Sequence, residues 1–403
     1  MDDPVNTYPI WSDAARRDPH ALYARLRAEA PVYKGTGPVS GNTFWFFTRY
    51  EDCVALLKDQ RFIKDADKIM TEAQRAFFAP SNPAEAALNR HMLNLDPPDH
   101  TRLRSLVHKA FTPRMIENLQ DRIEEISAEL LDGIEQAGLR QFDLIEQYSY
   151  PLPVIVIAEL LGIPKDDQDS FRRWTKALLF GQGDPAQAAL EAVSYFNSIF
   201  SQRKADPRDD LISGLLAVEE AGDKLDHQEL LSMIFLLLVA GHETTVNLIT
   251  TGMLTLMQHP AQMERLTAEP TLIRTAVEEI LRYHGPVENT LSRWSADDTD
   301  FKGQTIRRGD VVLASLMSAN RDEAVFENAD TFDITRDPNR HIAFGGGIHY
   351  CLGAPLARLE GTIAINALLR HLPGLRLAVP AEFLKWNDQI TLRGLQALPV
   401  MRT

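Results

Sequence analysis

The chain runs to 403 residues, 44% hydrophobic and 24% charged, enough to bury a core well beyond that of a small domain of roughly 100–200 residues. Its formal charge of −14 excludes non-specific attraction to nucleic acid or to an anionic membrane surface, and its two cysteines exclude a disulfide framework. The longest apolar run, Met233 to Gly241, falls far short of the ~20 residues that span a bilayer, and Met1-Asp-Asp-Pro opens no secretory leader, so a soluble, cytoplasmic protein is expected.

Taken in chain order, the first strand signal is Asn42–Thr48, where aromatic residues crowd. Cys53, in Tyr50-Glu-Asp-Cys-Val-Ala-Leu-Leu, reads as an ordinary packed residue. Between Asp96 and Arg114, His100 and Arg104 stand four apart on one helical face, a spacing suited to clamping a carboxylate. Arg102, Lys109 and Arg114 are left over as a positive cluster on an acidic chain. Met115 to Ala137 and Gln187 to Arg203 carry apolar residues at helical spacing, and Phe180-Gly181-Gln-Gly183 between them reads as a lid hinge or, more simply, a surface turn.

Leu230 to Gln258 is the longest periodic segment. Asp226 with Glu229 makes a capping box ahead of it and His259-Pro260 stops it, which predicts a helix of about 48 Å at 1.5 Å per residue. Its centre, from Leu236 through Val239 and Ala240, is apolar on nearly all sides and then abruptly carries Gly241, Glu243 and Thr244. Helix propensity gives no reason for that insertion, since glycine costs ~1 kcal/mol there and threonine also weakens a helix. A local rule broken at one place marks a site.

Leu272 to Tyr283 is again helical, with Glu279 and Arg282 three apart on one face and close enough to pair. Strand signals recur only at Val311–Ala314 and from Leu375 onward. The prediction is a mainly α fold with small β-sheets. No repeat, low-complexity tract or linker divides residues 1–403, so one compact body is the simpler reading.

The most informative segment is Phe344-Gly-Gly-Gly-Ile-His-Tyr-Cys351-Leu-Gly353-Ala-Pro-Leu-Ala-Arg358. Cysteine binds metal as a thiolate, and a helix N-terminus favours that charge. Leu352, Leu356 and Leu359 recur at helical spacing with Pro355 in the first turn, so Cys351 sits where a helix begins. Gly345, Gly346, Gly347 and Gly353 remove side chains around it, letting backbone amides approach a sulfur and a flat cofactor lie on the loop.

At every fixed position, Phe344, Gly345, Gly347, His349, Cys351 and Gly353 match the haem signature Phe-Gly-x-Gly-x-His-x-Cys-x-Gly, and on this segment the chain resembles the cytochrome P450 family. The resemblance implies a triangular prism with haem b between a long distal helix and the proximal cysteine loop. Cys351 would be the axial iron ligand, Phe344 would shield the sulfur, and His349 would donate to a haem propionate. Ala240, Gly241, Glu243 and Thr244 match the distal-helix motif. Gly241 would leave room for dioxygen, Thr244 would hydrogen-bond the oxygen, and Glu243 would deliver protons from water. Glu279, Arg282 and Arg336 match the structural Glu-x-x-Arg and arginine network, while His100, Arg104 and Arg293 match the propionate contacts. By the same resemblance a substrate pocket would be lined by Phe77, Phe78, Met92, Leu93, Leu236, Val239, Val287, Glu288, Asn289 and Ile390. Most of these are apolar, pointing to a lipophilic substrate, with Glu288 and Asn289 as the polar groups that would orient it.

Nothing in the chain resembles a flavin or nicotinamide site, so electrons are expected from a ferredoxin or flavodoxin with its NAD(P)H-dependent reductase. An acidic ferredoxin would dock on Arg102, Lys109 and Arg114. The leading expectation is a monooxygenase that hydroxylates or epoxidises a lipophilic molecule, since the chain looks most like the branch acting on macrolides and other polyketides. Steroid or fatty-acid substrates, a peroxide-driven peroxygenase and a non-catalytic haem sensor are the alternatives. The Glu243-Thr244 pair argues against the last two.

Overall fold

A computed structural model describes residues 8–37, 43–77, 79–80, 82–217 and 224–402. The chain divides into two compact units, one made of Met1–Thr71, Ser127–Ser149 and Thr244–Thr403, the other of Glu72–Ile126 and Tyr150–Glu243.

The first unit holds the strands β1 (Val32–Thr36), β2 (Thr43–Phe47), β3 (Phe62–Ile63), β4 (Gln141–Asp143), β5 (Arg293–Ser295), β6 (Thr299–Phe301), β7 (Gln304–Ile306), β8 (Val311–Ala314), β9 (Arg376–Leu377) and β10 (Pro399–Met401). Five of them form a sheet in the order β1-β2-β8-β5-β3, with β2 and β8 parallel and the other neighbours antiparallel. The sequence of β2, Thr43-Phe-Trp-Phe-Phe, alternates between two cores rather than between core and water. Trp45 and Phe47 pack with Leu56, Phe62, Phe301 and Val312, whereas Phe44 and Phe46 pack with Tyr23, Leu26 and Tyr33. A strand buried on both faces has no need of polar alternation. The strands β4, β10 and β9 form a second small sheet, and β6 with β7 a hairpin.

Glu279 and Arg282 sit on the helix Ile273–His284, both fully buried. Arg282 donates from Nε and Nη2 to the two carboxylate oxygens of Glu279, each at 2.7 Å, and its other protons reach the carbonyls of Asn320, Ala329 and Thr331. Arg336 Nε closes on the same carboxylate at 3.2 Å. A buried pair with this many partners satisfies its desolvation cost and fixes the chain around it.

The second unit is built on helices Asp99–Ala110, Pro151–Leu161, Gln168–Phe180, Pro185–Ala205 and Leu211–Ala217. Thr112 caps a short helix Pro113–Glu117 by accepting from the Met115 amide, and a separate helix, Gln120–Gln136, follows and passes into the first unit at Ser127. The expected single helix Met115–Ala137 is therefore broken at Asn118-Leu119. Gly181 takes φ +63 after the helix Gln168–Phe180, and Asp184 caps the next, so Phe180–Gly183 is a helix-to-helix turn.

The longest helix described, His227–Gln258, is uninterrupted, its residues to Glu243 belonging to the second unit and those from Thr244 to the first. The capping box forms as expected, Glu229 N donating to Asp226 Oδ1 at 2.8 Å and Asp226 N to Glu229 Oε2 at 2.9 Å. Contrary to the short-run argument, this helix is long and apolar enough by composition to cross a membrane, and 61% of its apolar window is buried inside the protein. Its threonines stay within that apolar setting by donating to the preceding turn, Thr250 to Val246 O and Thr251 to Asn247 O.

Candidate functional site

The cysteine loop is assembled within the first unit. Ile342 O accepts from Gly345 N and Gly347 O from Tyr350 N, so the loop coils through the 3-10 turn Gly347–His349 before the helix Ala354–His371 starts. The Cys351 amide donates to Phe344 O at 3.0 Å, tying the two ends of the motif together. Gly347 is fixed by its surroundings: its φ is +67, and a Cβ there would fall onto the carbonyl oxygen of Leu57. A Cβ on Gly353 would lie 4.0 Å from Cys351 Sγ, ordinary contact. Cys351 is exposed and forms no disulfide, whereas Cys53 is buried, where burial pushes its thiol well up. Arg293, on β5, is buried and donates to Phe62 O at 3.1 Å.

The second unit carries Ala240, Gly241 and Glu243 on the long helix, and Thr244 follows in the first unit as the next residue of that helix. Here the burial of the helix lapses. Phe235, Leu236 and Leu238 are buried on one side of this point and Val246 and Leu248 on the other, but Ala240 is exposed and Gly241, Glu243 and Thr244 are half-buried. Gly241 has a second reason to be glycine, because a Cβ there would lie 2.9 Å from Ile157 Cδ1, so close packing on Pro151–Leu161 accounts for it without a ligand.

His242 is a residue that sequence reasoning passed over. It is buried, its Nδ1 donates to Leu238 O at 2.7 Å, and its Nε2 lies 3.4 Å from Glu243 Oε1. The signal was its place beside Glu243 in an otherwise apolar helix.

His100 is buried and Arg104 half-buried on the helix Asp99–Ala110. Arg102 on the same helix is ion-paired with Glu229 of the capping box, and this removes it from the positive cluster, where Lys109 and Arg114 remain exposed. Among the pocket candidates, Phe78 lies outside the described residues, as does the side chain of Phe77, whose backbone ends the helix Glu72–Phe77. Met92 is buried and Leu93 half-buried. Val287–Asn289 and Ile390 are brought side by side, through a bridge from Val287 to Leu392 and a hydrogen bond of 2.5 Å from Asn289 Nδ2 to Ile390 O.

The expectation that Glu288 orients a ligand is corrected by its partners. Its carboxylate accepts from Tyr23 Oη and lies 3.9 Å from Arg16 Nη1, while burial and that carboxylate push the Tyr23 hydroxyl well up. Glu288 therefore fastens the N-terminal helices to the turn before β5. Asn289 likewise donates from its amide to the carbonyl of Ile390.

The cytochrome P450 family model matches residues 181–373. The polyketide biosynthesis cytochrome P450 PksS of Bacillus subtilis is 46% identical, over 95% of this chain and 95% of its own. The cytochrome P450 monooxygenase PikC of Streptomyces venezuelae is 45% identical over 95% of this chain and 91% of its own. A crystal structure of the myxobacterial cytochrome P450 CYP267B1 in complex with myristic acid superposes with a TM-score of 0.92 at 47% identity, covering 98% of both chains. The chain belongs to the cytochrome P450 family. It is a monooxygenase related to polyketide hydroxylases, with the family's fold and its haem b cofactor.

The residues present fit that group. The Cys351 thiol is exposed in a glycine-lined loop just before the helix Ala354–His371, a donor and a bare surface that suit a flat macrocycle held through a thiolate.

Proposed function

We propose that the chain, acting as one haem domain in the cytoplasm, inserts one oxygen atom from dioxygen into a C–H bond or an alkene of a lipophilic molecule of the polyketide class. The two electrons come from a ferredoxin or flavodoxin and its NAD(P)H-dependent reductase. The observation that carries this reading is the acid–alcohol pair Glu243-Thr244, half-buried at the point where the long helix opens. A peroxygenase or a sensor has no use for such a pair.

When bound through Cys351, the haem supplies reductive cleavage of dioxygen, one atom going to substrate and the other, with two protons, leaving as water. The chain's residues hold the cofactor and manage those protons. His100, Arg104, Arg293 and His349 are assigned to the propionates, and Phe344 to the face of the sulfur. Thr244 Oγ1 would hydrogen-bond dioxygen at the haem, and Glu243 would pass protons from water towards it, a contribution of typically 10²–10⁴-fold.

The polyketide assignment is supported by the likeness to PksS over nearly the whole chain. The myristic-acid complex of a 47% identical relative favours a fatty acid as the second reading. Titration of the ferric holoenzyme with macrolides, fatty acids and steroids separates them, since the class that fits would shift its absorption spectrum saturably and the others would not. Thr244→Ala tests the relay: NADH consumption persists while hydrogen peroxide replaces product, and tightly coupled turnover in the variant would refute the role of Thr244.

A further inference from the structure

The helix Ile273–His284 presents two consecutive glutamates, and the structure uses them for different purposes. Glu279 belongs to the buried network with Arg282 and Arg336. Glu278 faces the cysteine loop. Its Oε1 accepts from Arg358 Nε at 2.6 Å and its Oε2 from Arg358 Nη2 at 2.9 Å, a bidentate pair. The same Oε2 lies 3.0 Å from His341 Nε2. His341 Nδ1 accepts from the Ala343 amide at 3.2 Å, so the ring proton is on Nε2 and is donated to Glu278.

Arg358, seven residues after Cys351 on the helix Ala354–His371, is held by this pair with its guanidinium 4.5 Å from the centroid of the Phe344 ring. Its remaining arm reaches Tyr350 Oη at 3.4 Å. Phe344 is thereby enclosed by Arg358, by His341 with ring centroids 6.1 Å apart, and by Tyr350 at 6.3 Å. Phe344 is also the residue whose carbonyl accepts the Cys351 amide. Burial alone would raise the Glu278 carboxyl, but the hydrogen bonds from His341 and Arg358 outweigh it and hold the group down at about 2, so the pair is fully charged at neutral pH.

We infer that Arg358 is a positioning residue for the iron-ligand loop: Glu278 and His341 steer its guanidinium onto Phe344, fixing the carbonyl that holds Cys351, and the Arg358–Glu278 charges set the reduction potential of the haem. This rests on Cys351 being the axial ligand. Removing the guanidinium leaves a carboxylate beside the loop, which favours the ferric state; removing the carboxylate leaves a cation, which favours the ferrous state.

The test is spectroelectrochemical titration of the holoenzyme as wild type, Arg358→Gln, Glu278→Gln and the double variant. The expected potentials move in opposite directions for the two single variants. Each shift is a three- to tenfold change in the one-electron equilibrium constant, about 30–59 mV at 59 mV per tenfold, and the double variant returns close to wild type. Hydrogen exchange of the peptide spanning 344–351 is expected to quicken about tenfold in Arg358→Gln, and Arg358→Lys, which keeps the charge without the fork or the stack, is expected to restore the potential but not the protection. Shifts of the same sign in both single variants, or none in either, would overturn the electrostatic assignment. Unchanged exchange would overturn the positioning role. The carbonyl spectrum of the wild type checks the ligand itself, so a failure of that premise is seen separately.

Discussion

Glu279→Gln isolates the most heavily committed charge in the first unit. Arg282 is fully buried, and of five hydrogen bonds that it donates the two to Glu279, at 2.7 Å each, pair it with a carboxylate. The amide can replace one acceptor but presents protons to the other arm of the guanidinium, and the cation is left with only neutral carbonyls. Breaking a buried pair by removing one partner costs ~3–5 kcal/mol, whereas an exposed pair such as Arg25–Glu29, with side chains 58% and 52% exposed, is screened by water and contributes little. Against a total stability of ~5–15 kcal/mol, the larger figure is a third or more of what holds the fold. The assay is the urea midpoint of the holoenzyme together with the ratio of haem to protein absorbance after gel filtration. The expected result is a fall of ~3–5 kcal/mol with loss of haem; Glu29→Gln should change neither. A loss below ~1 kcal/mol for Glu279→Gln would refute the reasoning, because the carboxylate would then not be compensating a buried cation.

Gly347→Ala is expected to lower haem occupancy sharply at little cost to secondary structure, since both its φ and the Leu57 carbonyl bar a side chain; normal haem loading would contradict that. His20 and His284 are both held well below the usual histidine value, by burial and by the guanidinium groups of Arg321 and Arg393, so they fold neutral. The unfolded chain takes up their protons below about pH 6.5, and stability present above that value is lost as pH falls, with a limiting slope of ~1.4 kcal/mol per pH unit for each histidine. His284→Phe should flatten the acid limb of the urea midpoint measured from pH 7 to 5, and an unchanged slope would show that His284 does not titrate on unfolding. For the redox partner, Lys109→Glu should raise the apparent KM for ferredoxin in a salt-sensitive way. Arg102→Glu should instead destabilise the start of the long helix by repelling Glu229, read as a lower urea midpoint.

What was legible in the sequence was local or carried by a motif. The Asp226–Glu229 box lies within four residues and formed as read, and the cysteine loop announced itself through glycines that close backbone approach requires. The helix Pro151–Leu161 was missed because ten of its eleven residues are apolar or proline, leaving no face for a period to reveal. The pocket role given to Glu288 failed for a different reason: its partner Tyr23 lies 265 residues away, and no local pattern announces such a bond. Arg358 was invisible for the same reason, being 80 residues from the carboxylate that aims it. Helix breaks were also unreadable where apolar spacing continues across them, as at Asn118-Leu119.

The most direct test of the central claim is the absorption spectrum of the purified protein, reduced under carbon monoxide, for wild type and Cys351→His. Thiolate ligation by Cys351 predicts a strongly red-shifted carbonyl Soret band that disappears in the variant. A histidine-like carbonyl band in the wild type, or a thiolate band that survives the substitution, would contradict the account.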